Sequence, residues 1–260
     1  MPAGRFVLLE VALVEHSELD LPPDVAHQVR DVLRATPGAT ISILDGQGGT
    51  YPAEVVALER RRVVVRLAAR LASQAAIPCR VVLCLGMLKA AKFEWALQKA
   101  TEMGVSVIQP LLTERAVAAA EMTGEARQRR WRRILAEALE QCGGDQLPIL
   151  NTPRPLTHAL SNLLPQAIAL FPWEEAEAAP LRATLAAAIA DAGGLQAVPE
   201  IHLFLGPEGG FSPGEAALAR RHGARLVTLG SRILRAETAA LVATTLTLDT
   251  IGALDAAPLR

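Results

Sequence analysis

The spacing of hydrophobic and polar residues changes character near residue 72. Before that point, short apolar runs rich in β-branched residues alternate with polar positions. Three such runs are predicted strands, at 40–44, 53–58 and 63–67. Asp45-Gly46 and Gly48-Gly49 supply the turn between the first two. The apolar run 5–16 is also predicted as a strand, and 22–38 as one helix between a proline and Pro-Gly. The pattern predicts a small β-barrel with one helix.

After this region, continuous apolar runs alternate with helical patterns. The predicted strands lie at 78–88, 105–112, 167–173, 201–206 and 224–230. The predicted helices lie at 92–104, 124–144, 179–192, 212–222 and 236–252. Strands that are apolar on both faces and alternate with helices indicate a parallel sheet covered on both sides. The chain is therefore expected to hold two domains, 1–72 and 73–260, the second of the α/β class.

Charge and cysteine content restrict the classes of protein. The chain has 26 basic and 27 acidic residues, so any nucleic-acid partner must meet a local basic patch. Three cysteines without a CxxC pair argue against a disulfide framework and against a zinc site, and indicate a reducing, cytoplasmic location. The cysteine pattern therefore predicts no metal site. No membrane span is expected, because no long uninterrupted apolar stretch occurs.

Two glycine-containing loops follow predicted strands and carry the candidate chemistry. "GPEGGF" (206–211) leads into Ser212-Pro213-Gly214-Glu215, a capping-box pattern that starts a helix. The loop is either a tight turn with Glu208 in solvent or a ligand site. The phosphate-loop pattern GxxxxGK[ST] is absent, and a carboxylate in a glycine loop favours a neutral or cationic ligand, or an arginine partner.

The second loop has a similar composition. Gly230 follows a strand, and Arg235 and Glu237 flank the start of the last helix. Glu237 is also suited to a purely structural role, since a carboxylate in the first helical turn is favoured by the helix dipole. Ligands of open parallel sheets collect beyond the carboxyl ends of strands, so the two loops together predict a binding site.

These residues resemble one known family. "LFLGPEGGFSPGE" (203–215) and "LVTLGSRILRAETAAL" (226–241) resemble the signature of the RsmE methyltransferases of the SPOUT superfamily. Upstream segments match in the same order, at 27–38, 45–55, 92–117 and 137–148. The resemblance implies methylation of N3 of a uridine in 16S ribosomal RNA with S-adenosylmethionine. It implies a trefoil-knotted SPOUT domain behind a PUA-like β-barrel that binds RNA, and a homodimer acting on ribosomal RNA or the small ribosomal subunit.

The resemblance also implies roles for individual residues. The cofactor-binding residues would be Leu205, Gly206, Pro207, Glu208, Gly209, Gly210, Leu229, Gly230, Leu234 and Thr238. The RNA-binding residues would be Arg5, Arg30, Arg34, Lys89, Lys92 and Arg115, the last three at positions that face RNA or the cofactor. Arg30 and Arg34, four residues apart, would share one helix face. Arg235 would stabilise the uracil anion and Glu237 would orient it, with an ion pair from Arg235 to Glu237 or Glu208 as the alternative. No histidine falls in the signature loops, so no general base is assigned.

Two features remain open at this stage. "RQRRWRR" (127–133) is either a solvated helix face or a phosphate-binding segment with Trp131 among its arginines. Family members usually carry an arginine after the EQ-C-G segment, where this chain has Gly144 and Asp145. If that arginine holds RNA, this protein must replace it.

Three other functions are weighed against uridine N3 methylation. A related SPOUT enzyme would methylate a ribose 2′-hydroxyl or another base; the fused barrel and the "EQCG" segment argue against it. A non-catalytic RNA-binding or ribosome-assembly protein would not need intact glycine loops. A nucleotide-dependent oxidoreductase would carry GxGxxG after the first strand of the sheet, where "CLGMLKAAK" offers one glycine.

Overall fold

The computed structural model describes residues 4–60, 62–73, 78–116, 124–174 and 178–255. The chain divides into two compact units, Met1–Ala76 with Ala136–Leu147 and Ile77–Leu135 with Pro148–Arg260. Segment 136–147 therefore belongs to the first unit, whereas the sequence pattern placed it in the second domain. The division into functional domains at 1–72 and 73–260 stays a prediction.

The first unit contains a five-stranded sheet. Its strands are β1 (Arg5–Val7), β2 (Glu18–Asp20), β3 (Thr40–Leu44), β4 (Thr50–Leu58) and β5 (Val63–Leu67), in the order β1-β3-β4-β5-β2. β1 pairs parallel with β3, and the other pairs are antiparallel. Ile41, Ile43, Val55, Val63 and Val65 are fully buried on the core side. The predicted strands 40–44 and 63–67 are confirmed; the run 5–16 forms a strand only at Arg5–Val7, and β2 was not predicted.

The helix of the first unit is shorter and less regular than predicted. α1 (Pro23–His27) passes into a π-helical turn at Gln28–Val32, and Arg34 has a φ of 53°. A left-handed residue ends a right-handed helix, so the predicted helix begins at its proline as expected but ends before Arg34 instead of reaching Pro37-Gly38. The expectation that Arg30 and Arg34 share one helix face was wrong for the same reason.

The second unit contains a parallel seven-stranded sheet. Its strands are β6 (Arg80–Gly86), β7 (Val107–Leu112), β8 (Ile149–Leu150), β9 (Arg154–Pro155), β10 (Ile168–Pro172), β11 (Glu200–Leu205) and β12 (Arg225–Val227). The order is β12-β10-β11-β6-β7-β8, with β9 also on β7, and each of these pairs is parallel. This confirms the predicted α/β class. β8 and β9 are two-residue strands without a clear apolar pattern, and they were not predicted.

Six α-helices follow in chain order within the described residues: α2 (Ala90–Glu102), α3 (Glu125–Cys142), α4 (Leu156–Ser161), α5 (Leu181–Asp191), α6 (Pro213–Arg221) and α7 (Ala236–Thr250). All but α4 were predicted. α6 begins with the predicted capping box: the Ser212 hydroxyl accepts from the Glu215 N–H, and the Glu215 carboxylate accepts from the Ser212 N–H. Among the described residues, no helix is both long and apolar enough to cross a membrane.

The strand order brings three strand ends together. β10 lies between β11 and β12, although both follow it in the chain. The chain after β12 then runs beside the segment that leaves β10: Thr228 accepts from the Leu181 N–H and donates to the Ala179 carbonyl, each at 3.1 Å. The carboxyl ends of β10, β11 and β12 therefore open at one edge of the sheet. The trefoil knot stays a prediction.

The end of β6 is built for close contact with the loop after β11. A Cβ on Gly86 would lie 2.5 Å from the Pro207 nitrogen and 2.9 Å from the Gly206 carbonyl carbon. Both are backbone atoms, which cannot turn away as a flexible side chain would. Any side chain at Gly86 must therefore displace the loop or the strand.

We expect Gly86→Ala to lower the free energy of unfolding by about 1–3 kcal/mol, because an added methyl group overpacks a site with no room. Thermal unfolding followed by circular dichroism measures this. Gly124→Ala is the matched control, since a Cβ there meets no atom within 4 Å. An unchanged Tm for Gly86→Ala would contradict the steric argument.

Candidate functional site

A cavity of about 310 Å³ lies at the edge of the sheet where β10, β11 and β12 end. The described residues that line it are Lys92, Pro172, Trp173, Glu174, Gly206, Pro207, Glu208, Gly210, Phe211, Thr228, Leu229, Gly230, Ser231, Arg232, Ile233, Leu234, Arg235 and Ala236. The two loops that the sequence singled out are therefore adjacent, although about twenty residues separate them in the chain. A third loop, after β10, completes the wall.

Most of the predicted ligand residues lie on this wall. They are Gly206, Pro207, Glu208, Gly210, Leu229, Gly230 and Leu234, together with the predicted catalytic Arg235. Leu205 is buried in the sheet, and Gly209 and Thr238 also lie off the wall. The structure brings the first group together; cofactor binding by any of them stays a prediction.

The loop after β11, residues 206–211, is a tight turn. The Gly210 N–H donates to the Pro207 carbonyl at 2.9 Å, and Gly210 has a φ of 66°. A Cβ on Gly210 would lie 2.7 Å from the Glu174 Oε1. Glycine is favoured here by the left-handed backbone, whereas the Glu174 carboxylate is the end of a flexible side chain that could move aside.

Glu208 is held by the start of α2. Its Oε1 accepts from the backbone N–H of Lys89 at 3.0 Å and lies 3.9 Å from the Lys92 Nζ. A carboxylate is favoured at the N-terminus of a helix, where backbone N–H groups carry partial positive charge. The Glu208 carboxylate remains exposed, as one of the two sequence interpretations expected, and its contacts are a helix start and a lysine instead of an arginine.

Lys92 connects the cavity wall with Glu237. Its Nζ lies 3.6 Å from the Glu237 Oε2, an oxygen that is shielded from solvent and has no hydrogen-bond partner within the described residues. Glu237 itself does not line the cavity. Lys92 was predicted to contact RNA; the structure places it on the wall between two carboxylates.

Arg235 is exposed on the wall as the residue that precedes α7. Within the described parts of the chain it forms no ion pair, so the alternative of a salt bridge to Glu208 or Glu237 was wrong. The Glu237 carboxylate instead faces Lys92, and its predicted role in orienting Arg235 finds no contact in the structure. The guanidinium of Arg235 is left available to a ligand in the cavity.

The turn after β7 contacts the loop after β11. The Arg115 Nη1 donates to the carbonyl oxygens of Gly209 at 3.1 Å and Phe211 at 3.3 Å. The Glu215 Oε1 accepts from the Glu114 N–H at 2.9 Å. Arg115, a predicted RNA contact, is therefore engaged with the backbone of this loop.

The other predicted RNA contacts lie in the first unit, apart from Lys89, which precedes α2. The Arg5 Nη2 donates to the carbonyls of Gly143 and Gly144, at 3.0 and 2.6 Å, just beyond the end of α3. Cations are favoured at this end of a helix. Arg30 binds Asp31 and lowers the pKa of that carboxyl to about 2. Arg34 is exposed. RNA binding by these residues stays a prediction.

Gly144 and Asp145 stand where family members usually carry an arginine, and both make backbone hydrogen bonds. The Gly144 carbonyl accepts from Arg5, and the Asp145 carbonyl accepts from the Gly48 N–H at 2.9 Å. The Asp145 carboxylate accepts from the Ser73 hydroxyl at 3.0 Å. Gly144 and Asp145 thus fasten the segment after α3 within the first unit.

The arginine-rich segment of α3 is anchored by its tryptophan. Trp131 is fully buried and packs on Phe93, with ring centroids 4.8 Å apart. Arg130 donates to both carboxylate oxygens of Glu94 and lowers its pKa, and Arg129 lies 3.7 Å from Glu125. Trp131 is therefore a core residue and offers no face to a nucleobase.

The loop after β10 was not predicted to be part of the site. Trp173 lines the cavity, and its indole N–H is shielded from solvent without an acceptor within the described residues. Glu174 adds a carboxylate to the wall. The run "AIALFPW" was predicted as a strand, and ligands of parallel sheets gather beyond the carboxyl ends of strands, so this loop could have been predicted as part of the site. It contains no glycine, and only glycine-containing loops were predicted to bind a ligand.

Among the described residues, the wall carries carboxylates but no histidine. All five histidines are described, and none lines the cavity. No group of three or more potential metal ligands occurs in the described ranges. The titratable groups of the wall are carboxylates, a lysine and arginines, which orient and neutralise charge.

Comparison with known proteins matches both units. Residues 75–248 match the family model of an RNA methyltransferase domain, and residues 22–68 match that of an RNA methyltransferase PUA domain. The chain is 31% identical over 242 residues to the ribosomal RNA small subunit methyltransferase E of Synechocystis, covering 93% of this chain and 76% of the relative.

Solved structures agree with this match. The chain resembles the crystal structure of the ribosomal RNA small subunit methyltransferase E from Neisseria gonorrhoeae bound to S-adenosylmethionine, with a TM-score of 0.80 and 28% identity over 96% of this chain and 97% of the other. It also resembles a Legionella pneumophila methyltransferase in complex with the same cofactor, with a TM-score of 0.76 and 27% identity over 96% and 97%. The chain therefore belongs to the ribosomal RNA small subunit methyltransferase E (RsmE) family, with a PUA domain ahead of its methyltransferase domain.

Proposed function

We propose that this protein transfers a methyl group from S-adenosylmethionine to N3 of a uridine in the RNA of the small ribosomal subunit. The observation that carries the proposal is the cavity at the ends of β10, β11 and β12, where both signature loops meet beside Arg235. The family supplies the class of reaction, and the names of the relatives supply ribosomal RNA as substrate. N3 of uridine is the specificity that the motif resemblance implies.

The cavity fits the methyl donor in size and charge. Its volume of about 310 Å³ lies at the lower end of the range of small-molecule sites. Glu174 and Glu208 are suited to the positive sulfonium and ammonium groups of the donor, and Arg232 to its carboxylate. The indole N–H of Trp173, which has no acceptor within the described residues, would gain one from a bound molecule. Glycines at 206, 210 and 230 allow a ligand to approach the main chain.

The protein's task is to prepare the acceptor, since the sulfonium donor supplies an activated methyl group. Uracil N3 carries a proton, and its loss spreads negative charge onto the flanking carbonyl oxygens. Arg235, exposed on the wall and free of an ion pair within the described residues, is placed to stabilise that anion. Lys92 balances the charges of Glu208 and Glu237, which keeps the net negative charge of this side of the wall low.

The target uridine must be unpaired or turned out of a helix, because base pairing covers N3. RNA holding is assigned to the PUA domain, with Arg5, Arg30 and Arg34, and to Lys89 and Lys92 of the methyltransferase domain. The phosphate contacts would weaken as salt concentration rises.

A cytoplasmic homodimer is the expected working form. α7 supports this expectation, because Leu241, Val242 and Leu246 remain partly exposed on a helix that is apolar on most sides. A helix with apolar residues all round is usually covered on all sides.

The first test concerns the donor site. We expect Gly230→Asn to weaken S-adenosylmethionine binding at least tenfold in calorimetry, because the new side chain enters the cavity. Gly194→Asn is the matched control: Gly194 and Gly230 have φ angles of 113° and 118°, both have open space around the Cβ position, and only Gly230 lines the cavity. Equal affinities for the two variants would place donor binding elsewhere.

The second test concerns Arg235. We expect Arg235→Ala to reduce kcat about a hundredfold or more, as for removal of one group that stabilises a developing anion. The Kd for S-adenosylmethionine should change less than threefold, and Arg220→Ala, on the exposed side of α6, should leave both values unchanged. Parallel losses in turnover and donor affinity would assign Arg235 to donor binding.

The third test identifies the product. Ribosomal RNA from a strain without this gene should lose one 3-methyluridine in mass spectrometry of its nucleosides, and the wild-type gene should restore it. Loss of a 2′-O-methylated nucleoside or another methylated base instead would contradict the proposed specificity. An unchanged nucleoside profile would indicate a non-catalytic protein.

A further inference from the structure

The turn after β7 holds the loop 206–211 through Arg115, which is not among the described residues that line the cavity. Arg115 is exposed, yet its Nη1 donates to two carbonyl oxygens of this loop, those of Gly209 and Phe211. These residues flank Gly210, which lines the cavity with a left-handed backbone. One guanidinium nitrogen thus fixes the 209–210 and 211–212 peptide groups, which flank the cavity residues Gly210 and Phe211.

A second contact fixes the same turn at the end of the loop. The Glu215 side chain is 5% exposed, and its two carboxylate oxygens accept from different segments. Oε1 accepts from the Glu114 N–H at 2.9 Å, and Oε2 accepts from the Ser212 N–H at 2.8 Å. The capping residue of α6 therefore also ties the β7 turn to the residue that follows the loop.

The two segments are also in steric contact. A Cβ on Gly209 would lie 3.1 Å from the Arg115 Cβ and 3.4 Å from the Arg115 carbonyl oxygen. The backbone of the loop therefore rests directly on the turn. With both carbonyls bonded to a cation, the loop has a defined orientation before any ligand enters.

We propose that Arg115 is a positioning residue that holds the loop 206–211 in the conformation that binds the methyl donor. The inference rests on the proposed function for the identity of the donor. It assigns Arg115 to the donor side of the reaction and removes it from the RNA contacts, because its guanidinium is committed to loop carbonyls. A preformed loop lowers the ordering cost of binding.

Kinetics distinguish the two roles. We expect Arg115→Ala to raise the Kd and the KM for S-adenosylmethionine on the order of tenfold, since hydrogen bonds from a charged group are lost. The KM for RNA should stay within twofold. Arg115→Lys should recover part of the donor affinity, because an ammonium can reach one carbonyl but cannot reproduce the guanidinium geometry. Arg225→Ala is the control: Arg225 pairs with Asp191 at the opposite, amino end of β12.

A higher KM for RNA with unchanged donor affinity would show that Arg115 contacts RNA, and would overturn the proposal. Unchanged values for both substrates would overturn it as well. Thermal unfolding of each variant separates a local effect from global destabilisation, since Arg115→Ala and Arg225→Ala should have similar Tm values.

Hydrogen–deuterium exchange tests whether Arg115 holds the loop 206–211, and it requires no enzymatic turnover. In the ligand-free protein, the amides of 208–212 should exchange faster in Arg115→Ala than in the wild type, while those of β11 stay protected. This readout holds even if the protein acts on a different donor or acceptor. Unchanged exchange in the loop would contradict the positioning role alone, whereas failure of wild-type methyl transfer would contradict the proposed function alone.

Discussion

The site depends on one close contact, between the end of β6 and the backbone of the loop after β11. Gly86 leaves the space into which Pro207 and Gly206 fit, with 2.5 Å between a hypothetical Cβ and the Pro207 nitrogen. From this position the loop can reach the start of α2 through Glu208 and the turn after β7 through Arg115. Main-chain contact, two charged side chains and a capping box together define a loop that contains three glycines. Glycine-rich segments are flexible in isolation, and here the surrounding groups remove that freedom.

The fold could be predicted to a large extent because periodicity is strong in the second unit. Apolar strands such as 201–206 and helices such as 236–252 were placed within two residues of their observed limits. The misses have local causes. The helix over 22–38 was too long because Arg34 adopts a positive φ, which no propensity of arginine indicates. The short strands β8 and β9 are defined by pairing with β7 and have no pattern of their own.

The site was predictable in its loops and much less so in its side-chain contacts. Glycine and the motif resemblance pointed to 206–210 and 229–235, and the structure brings both to one cavity. The partners of the charged residues depend on distances that sequence does not carry. Lys92 faces Glu237, Arg115 meets loop carbonyls, and Trp131 lies in the core among arginines. The residue type alone suggested an exposed or RNA-facing role for each of the three. Tertiary packing gives each of them different contacts.

The position of β10 between β11 and β12 bears on how the site comes into being during synthesis. One wall of the cavity is formed by residues near 173 and another by residues 228–236. The cavity is therefore incomplete until the second of these segments has been synthesised. A nascent chain that has emerged as far as residue 211 holds the loop 206–211 but lacks the wall formed by 228–236, so no enclosed space exists for a ligand. Binding competence is thereby delayed until the last strand and the start of α7 have left the ribosome. Partly made chains cannot sequester the small molecule that the finished protein uses.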